Sequence, residues 1–200
     1  LYIKALSMGT PLFLCSKSPR RVQILGDHHI SFTQIDNLLT HEPERFDFET
    51  PKEYVIRLAL SKAHASVANY QGLIMGVDTI VVNNQKIYGK PRHHKSAVTM
   101  LESLSGGVHK VITACVLYDS VRSDWMVCVD EAEVSFTPYD HDQVDDYIKS
   151  FQPFDKAGGY GIQDNPPFID SINGDYHTVM GLPINRLLKI FSHYGIVKSC

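Results

Sequence analysis

The chain lacks most of the features that mark membrane, nucleic-acid-coating or disulfide-stapled proteins. No run approaches the roughly 18 consecutive apolar residues that a membrane helix needs. Lys and Arg number 19 against 22 Asp and Glu, a net charge of -3, so a general electrostatic grip on nucleic acid is not expected. There are only four cysteines, Cys15, Cys115, Cys128 and Cys200, and none forms a C-x-x-C pair. Zinc-knuckle and thioredoxin-like readings are set aside. Three of the four lie in apolar runs, the usual setting of buried reduced thiols, which favours a reducing compartment and a cytoplasmic location. The ten histidines form no H-E-x-x-H or other close ligand spacing, and no serine stands in a G-x-S-x-G elbow. Residues 1–10 have neither a long apolar stretch nor a small-residue cleavage site, so they read as a short extension rather than a signal peptide.

What is present is ordinary globular composition, 44% hydrophobic and 20% charged over 200 residues, consistent with one domain. Strand-like and helix-like segments interleave throughout, which predicts an α/β fold. Leu12–Cys15 reads as a strand, and Ser18 then caps a helix that has Pro19 at its first position. Thr50, Pro51 and Glu53 form a capping box, followed by an apolar stripe of Val55, Leu58, Ala59 and Ala63. Residues 74–82 are apolar and β-branched with one acid, Asp78, and lead to a turn at Asn83-Asn84. Ala97, Met100, Leu101 and Leu104 predict a helix stopped by Gly106-Gly107. Residues 111–118, 126–129 and 132–136 read as three consecutive strands, so antiparallel pairing and a mixed sheet are expected. Val144, Tyr147, Ile148 and Phe151 mark another helix. Pro183 starts the last, with Ile184, Leu187, Leu188 and Phe191 facing inward.

Four places could carry chemistry. Ser16-Lys17-Ser18-Pro19-Arg20-Arg21 passes from strand to helix, where free N–H groups, the dipole and basic side chains suit an anion. A capped surface helix with solvated arginines has the same pattern. Asp78, beside Thr79 in an apolar strand, is costly to bury without a partner. It reads as a metal ligand or general base, or else as a carboxylate holding a backbone turn. Lys62 falls at the edge of an apolar stripe, where a snorkelling lysine is the plain explanation. Lys90 follows a strand end and could face a pocket or water. Together with Arg20 and Arg21 these lysines could supply the cations that a polyphosphate requires. In residues 155–163, Gly158, Gly159 and Gly161 allow backbone to approach a ligand, and Gln163 offers donor and acceptor. A glycine-rich bend between core elements explains the same composition. The pairs His28-His29 and His93-His94 read as exposed turn residues without a role.

Taken in order, the stretches Cys15 to Arg21, Glu53 through Ala63, Gly76-Val77-Asp78-Thr79-Ile80-Val81 and Gly89-Lys90-Pro91 resemble the Maf family of nucleoside triphosphate pyrophosphatases. Leu104-Ser105-Gly106 with His109-Lys110-Val111, then Asp155 to Gln163, then Gly181-Leu182-Pro183 continue the resemblance, which spans nearly the whole chain as a single domain. It implies an elongated mixed sheet flanked by helices, with two lobes around a cleft, like the inosine triphosphate pyrophosphatases. It implies hydrolysis between the α- and β-phosphates, a divalent metal (magnesium or manganese) and a homodimer. By the resemblance, Asp78 is the proton acceptor that activates water. Arg20, Thr79 and Gln163 mark substrate choice and are similar to the branch acting on dTTP and UTP rather than 7-methyl-GTP. Ser16, Arg21, Lys62, Lys90 and Lys156 match positions at the phosphate end. The family's usual acidic pair is altered: Asp36-Asn37 is followed by Thr40-His41-Glu42-Pro43-Glu44. Spacing puts His41 at the expected acid, and Glu42 beside it becomes the candidate metal ligand with Asp78.

The combined expectation is an enzyme in which Arg20 and Arg21 hold phosphates, and Asp78 with Glu42 places a metal and water. Lys62 and Lys90 stabilise the leaving group. The rivals are a pyrophosphatase for modified nucleotides such as 7-methyl-GTP, and a non-catalytic nucleotide sensor acting on cell division through a protein partner.

Overall fold

The computed structural model describes residues 10–197; residues 1–9, most of the expected extension, and residues 198–200, including Cys200, lie outside the described residues. A seven-stranded mixed sheet organises the chain. Strands β1 (Leu12–Cys15), β2 (Thr33–Ile35), β3 (Leu73–Asn83), β5 (Val108–Asp119), β6 (Asp124–Phe136) and β7 (Ile169–Asn173) lie in the order β2-β1-β3-β5-β6-β7, and the short β4 (Lys86–Tyr88) pairs with β3 off this path. The two pairings of β1 are parallel, and all others are antiparallel.

The register leaves an opening. Along one edge of β3, β5 pairs with Leu73 through Val82. The other edge is shared: β1 pairs with Leu73 to Gly76, and β4 with Val81 to Asn83. Val77, Asp78, Thr79 and Ile80 are therefore free of a strand on that side, beyond the carboxyl end of β1. That is the place where open α/β sheets bind ligands.

Helices cover both faces. On one, α2 (Pro51–His64) packs Val55, Leu58 and Ala59 on Ile80, Ile112, Ala114 and Val116. Its start is fixed by the expected capping box: Glu53 N–H donates to Thr50 Oγ1 at 3.2 Å, and Thr50 N–H donates to Glu53 Oε2 at 2.8 Å. Contact between α2 and the sheet is closest at Gly76, where a Cβ would lie 2.1 Å from the Ala59 carbonyl oxygen. On the opposite face, Val77, Cys115 and Leu117 pack against α1 (Pro19–Asp27) and α6 (Ile184–His193). Beyond them, Val81, Val111, Val134 and Phe136 pack against α3 (His94–Glu102) and α4 (His141–Phe151). A short helix, α5 (Tyr176–Met180), follows β7. Among the described residues no helix is long and apolar enough to cross a membrane. Cys15, Cys115 and Cys128 are free and buried, and burial pushes each thiol up from its ordinary value.

Several details differ from the sequence expectations. Residues 126–129 and 132–136 belong to one strand, β6, rather than two. The acidic pair between them is no turn: Asp130 accepts from Thr178 Oγ1 at 2.8 Å, and exposed Glu131 pairs with Lys110 across the strand. The hairpin turn is Asn84-Gln85, both at positive φ, with Asn83 still paired to Lys86. Leu104 is buried in the turn after α3, not in the helix. Ser18 precedes α1 in extended conformation, but its side chain makes no cap bond. His93 has a role after all, since its Nδ1 accepts the Ser96 N–H at 3.2 Å and caps α3. The short strands β2, β4 and β7 and helix α5 carry too few periodic residues to be read from sequence.

Candidate active site

A cleft of about 430 Å³ occupies the opening beside β3. Ser16, Arg20, Arg21, Glu42, Lys62, Asp78, Thr79, Lys90, Lys156 and Gln163, the ten residues singled out from the sequence, all line it. His41 is not among the lining residues. The turn from β1 into α1 supplies the floor, with Ser16, Lys17 and Ser18 lining the cleft ahead of a nine-residue helix and Pro19 in its first turn. The N-terminal end of that helix carries partial positive charge.

Arg21 is the hub of the floor. Its Nη1 donates to Ser16 Oγ at 2.8 Å and to the open-edge carbonyl of Val77 at 3.1 Å. Its Nε donates to the Gly181 carbonyl at 2.8 Å, and its Nη2 to Thr79 Oγ1 at 3.0 Å. Four of its five N–H donors are thus held by protein, so Arg21 ties β1, β3 and the end of α5 together and has one donor left. Burial first, opposed by Asp78, lowers its pKa from the usual arginine value.

Because consecutive strand residues point to opposite faces, Asp78 and Thr79 look different ways. Asp78 turns toward α2, where Lys62 Nζ donates to its Oδ2 at 2.8 Å, while the Thr79 N–H donates to its Oδ1 at 2.7 Å. The same ammonium lies 2.8 Å from Glu42 Oε1. Lys62 is therefore a buried cation bridging two carboxylates, not a snorkelling side chain. Burial pushes the Glu42 carboxyl up, but the Lys62 hydrogen bond and the charges of Lys62, Lys90 and Arg21 overcome it and hold Glu42 below its usual range. Thr79 faces the other way, into a chain of hydroxyls. Thr113 Oγ1 donates to the Thr178 carbonyl at 2.8 Å and lies 3.0 Å from Thr79 Oγ1. A carbonyl can only accept, so Thr113 accepts from Thr79, and the Thr79 oxygen is left as an acceptor.

The far wall is the glycine-rich segment. Gly158 has φ of 73°, and a Cβ there would lie 2.9 Å from Val81 Cγ2, so this bend requires glycine. Arg20 reaches across the cleft, donating from Nη1 to Asp155 Oδ2 at 2.6 Å and from Nη2 to the Asp155 carbonyl at 3.2 Å. Lys156 Nζ lies 3.2 Å from Asp155 Oδ1 and 3.6 Å from Asp164 Oδ2. Burial pushes Asp155 up, and the Arg20 hydrogen bond and charge, then Lys156, bring it below its usual value. Gln163 Nε2 donates to Asp164 Oδ1 at 3.0 Å, while its Oε1 is buried without a protein partner among the described residues. A carboxylate oxygen cannot donate, so the Gln163 amide group must face Asp164, and Oε1 is the free acceptor.

Sequence reasoning missed the supporting residues: Thr113, Asp164 and Tyr147, whose hydroxyl accepts the Gly161 N–H at 2.9 Å and donates to Asp164 Oδ2 at 2.8 Å. Tyr147 stands in the apolar stripe that marks α4, and nothing in the helical spacing separates a core tyrosine from one whose hydroxyl holds a loop. Among the described residues no three His, Cys, Asp or Glu side chains cluster as a metal site. Asp78 and Glu42 converge on Lys62 Nζ, which already supplies one positive charge there; as hard oxygen donors they suit a divalent cation that completes its shell with phosphate oxygens and water.

An open mixed α/β sheet whose cleft pairs six basic side chains with three carboxylates defines a protein built to hold a polyanion. A family profile described as Maf-like protein matches residues 11–194, and the chain belongs to that family. It is 39% identical over 193 residues to a dTTP/UTP pyrophosphatase of Salmonella typhimurium, covering 95% of this chain and 96% of the relative. It is 37% identical, at the same coverage, to a dTTP/UTP pyrophosphatase of Escherichia coli. A solved structure titled nucleoside-triphosphatase / dITP/XTP pyrophosphatase, from Mycobacterium abscessus, overlaps 63% of this chain and 74% of its own at 14% identity and a TM-score of 0.40, too slight a likeness to bear on function.

Proposed function

We propose that the chain hydrolyses nucleoside triphosphates between the α- and β-phosphates, giving the monophosphate and pyrophosphate, with dTTP and UTP preferred. The observation that carries this reading is the Lys62 ammonium held between Asp78 and Glu42 in a cleft lined by further cations. Relatives covering almost the whole chain bear the name of that activity. In the proposed reaction the α1 terminus, Ser16, Arg20 and Lys156 orient the phosphates. Water attacks the α-phosphorus, Asp78 accepts its proton, and the bond to the bridging oxygen breaks. Lys62 and Lys90 stabilise the charge that gathers on departing pyrophosphate. A divalent cation such as magnesium or manganese, held by Asp78 and Glu42, would supply Lewis-acid neutralisation of the phosphate oxygens.

The choice of base follows from proton inventory. Gln163 Oε1 is an unpartnered acceptor fixed by Asp164, and Thr79 Oγ1, whose proton goes to Thr113, accepts from Arg21 Nη2 and keeps one further lone pair. A diketo pyrimidine offers an N–H between its carbonyls, whereas cytosine presents a lone pair at that position. Acceptors in the wall therefore favour uracil and thymine over cytosine.

The test is pyrophosphate release from dTTP, UTP, CTP and 7-methyl-GTP, with and without magnesium. Metal-dependent turnover of dTTP and UTP is expected. Dominant turnover of 7-methyl-GTP would reassign the substrate, and tight nucleotide binding without release would make the chain a sensor.

A further inference from the structure

His109 has no part in the reaction above, yet it is among the most buried polar residues of the chain, 2% exposed on β5. It lies on the same face as Val111, two residues on, which lines the cleft. Its Nε2 is 2.7 Å from Tyr160 Oη, and Tyr160 is the aromatic member of the glycine-rich wall. The imidazole and the phenol also meet edge to face, with centroids 5.5 Å apart, and Phe136 packs edge-on against both. His109 Nδ1 has no protein partner among the described residues.

The pair is costly. Burial alone pushes the His109 pKa down to about 4, so the ring is neutral, with one N–H. If Nε2 accepts the Tyr160 proton, the Nδ1–H is unmet. If Nε2 donates, both the Nδ1 lone pair and the phenol proton are unmet. Two apolar rings would fill this space without either loss. Tyr147 holds the neighbouring Gly161 N–H and the Gly89 carbonyl holds the Gly158 N–H, while His109 holds the Tyr160 hydroxyl itself, in a segment interrupted by Gly158, Gly159 and Gly161, of which Gly158 and Gly159 have positive φ. Gln163 stands three residues after Tyr160.

We infer that His109 is a positioning residue for nucleotide selection: by holding the Tyr160 hydroxyl it fixes the wall that presents Gln163 to the base. This rests on the nucleotide reading of the cleft. It separates His109 from the phosphate-end groups, because its loss loosens base recognition and leaves the reacting groups in place.

The experiment compares wild type, His109→Phe, His109→Gln, Tyr160→Phe and the double variant His109→Phe/Tyr160→Phe. It measures kcat and KM for UTP and CTP, and calorimetric binding of a non-hydrolysable α,β-imido analogue of UTP. His109→Phe should raise KM and the analogue Kd for the uracil nucleotide about tenfold, the loss of one hydrogen bond, with kcat within about twofold and the preference over CTP narrowed. His109→Gln, which keeps a polar group for Tyr160, should restore most of the affinity. Tyr160→Phe should match His109→Phe, and the double variant should be no worse than either. Unchanged analogue affinity in the single variants, or a fall in kcat at constant KM, would overturn the assignment. Should wild type release no pyrophosphate, the enzymatic reading fails while the analogue affinities still decide the role of His109. If His109→Phe does not fold, Tyr160→Phe carries the same comparison.

Discussion

The Lys62 ammonium lies 2.8 Å from Asp78 Oδ2 although the two residues are 16 apart and sit on different elements, α2 and β3. The side chains are 11% and 13% exposed. A lysine at this depth is held by its carboxylates, and each carboxylate by it, so the pair is a mutual dependence rather than a surface contact.

Asp78→Asn keeps the shape and removes the proton acceptor. Turnover should fall by about 10²–10⁴. Pyrophosphate release measured beside thermal unfolding checks this; a large drop in melting midpoint with intact turnover per folded molecule would assign Asp78 to structure instead.

Lys62→Met leaves Asp78 and Glu42 facing each other without a cation. It should destabilise more than Lys62→Met combined with Asp78→Asn, with a coupling of about 1–3 kcal/mol from denaturant unfolding. Additive losses would show that the pair is not energetically linked.

Gln163→Leu replaces the free acceptor by a hydrocarbon of similar size. KM for UTP should rise about tenfold or more while KM for CTP changes little. Steady-state kinetics with the two nucleotides decide it.

Gly76→Ala places a Cβ 2.1 Å from the Ala59 carbonyl oxygen and 2.5 Å from the Ala63 nitrogen, both backbone atoms of α2. The helix must move off the sheet, costing about 2 kcal/mol or more, which lowers the melting midpoint by about 5 °C or more in a domain of this size. Because Lys62 rides on the same helix, activity should fall at temperatures where the variant is still folded.

His109 makes the fold sensitive to acid. Unfolded, the ring takes up a proton below about 6.5; folded, it does so only near about 4. The unfolded state binds more protons between these values. Stability is therefore complete above the upper value and falls as pH drops, by at most about 1.4 kcal/mol per unit. Urea midpoints at pH 7 and pH 4.5 should separate less in His109→Phe than in wild type.

The α/β class was legible in the sequence because local rules govern it, and the order of the site motifs was legible through the family resemblance. Thr50 with Glu53 announces a helix start, and an isolated Asp78 in an apolar run announces a group that needs a partner. Glu42 was reachable only through the family resemblance, which pointed to residues 40–44; the structure places Glu42, and not His41, on the cleft beside Lys62. Other features were not legible. Asp130-Glu131 resembles a turn until the long β6 strand gives each acid a cation or hydroxyl across the fold. Lys62 resembles a surface lysine until α2 is laid against β3.

By itself, then, the order of amino acids determined the longer strands and helices, since turn chemistry and apolar periodicity act over a few neighbours, and through the family resemblance it named the residues of the site. Only the tertiary structure decided that β1 stops short of Val77 and β4 begins at Val81, leaving an edge open between them. It alone decided which atoms of Arg21, Thr79 and Gln163 remain free. Those outcomes depend on partners tens of residues away, whose donors and acceptors must be matched before any group can be left over for a ligand.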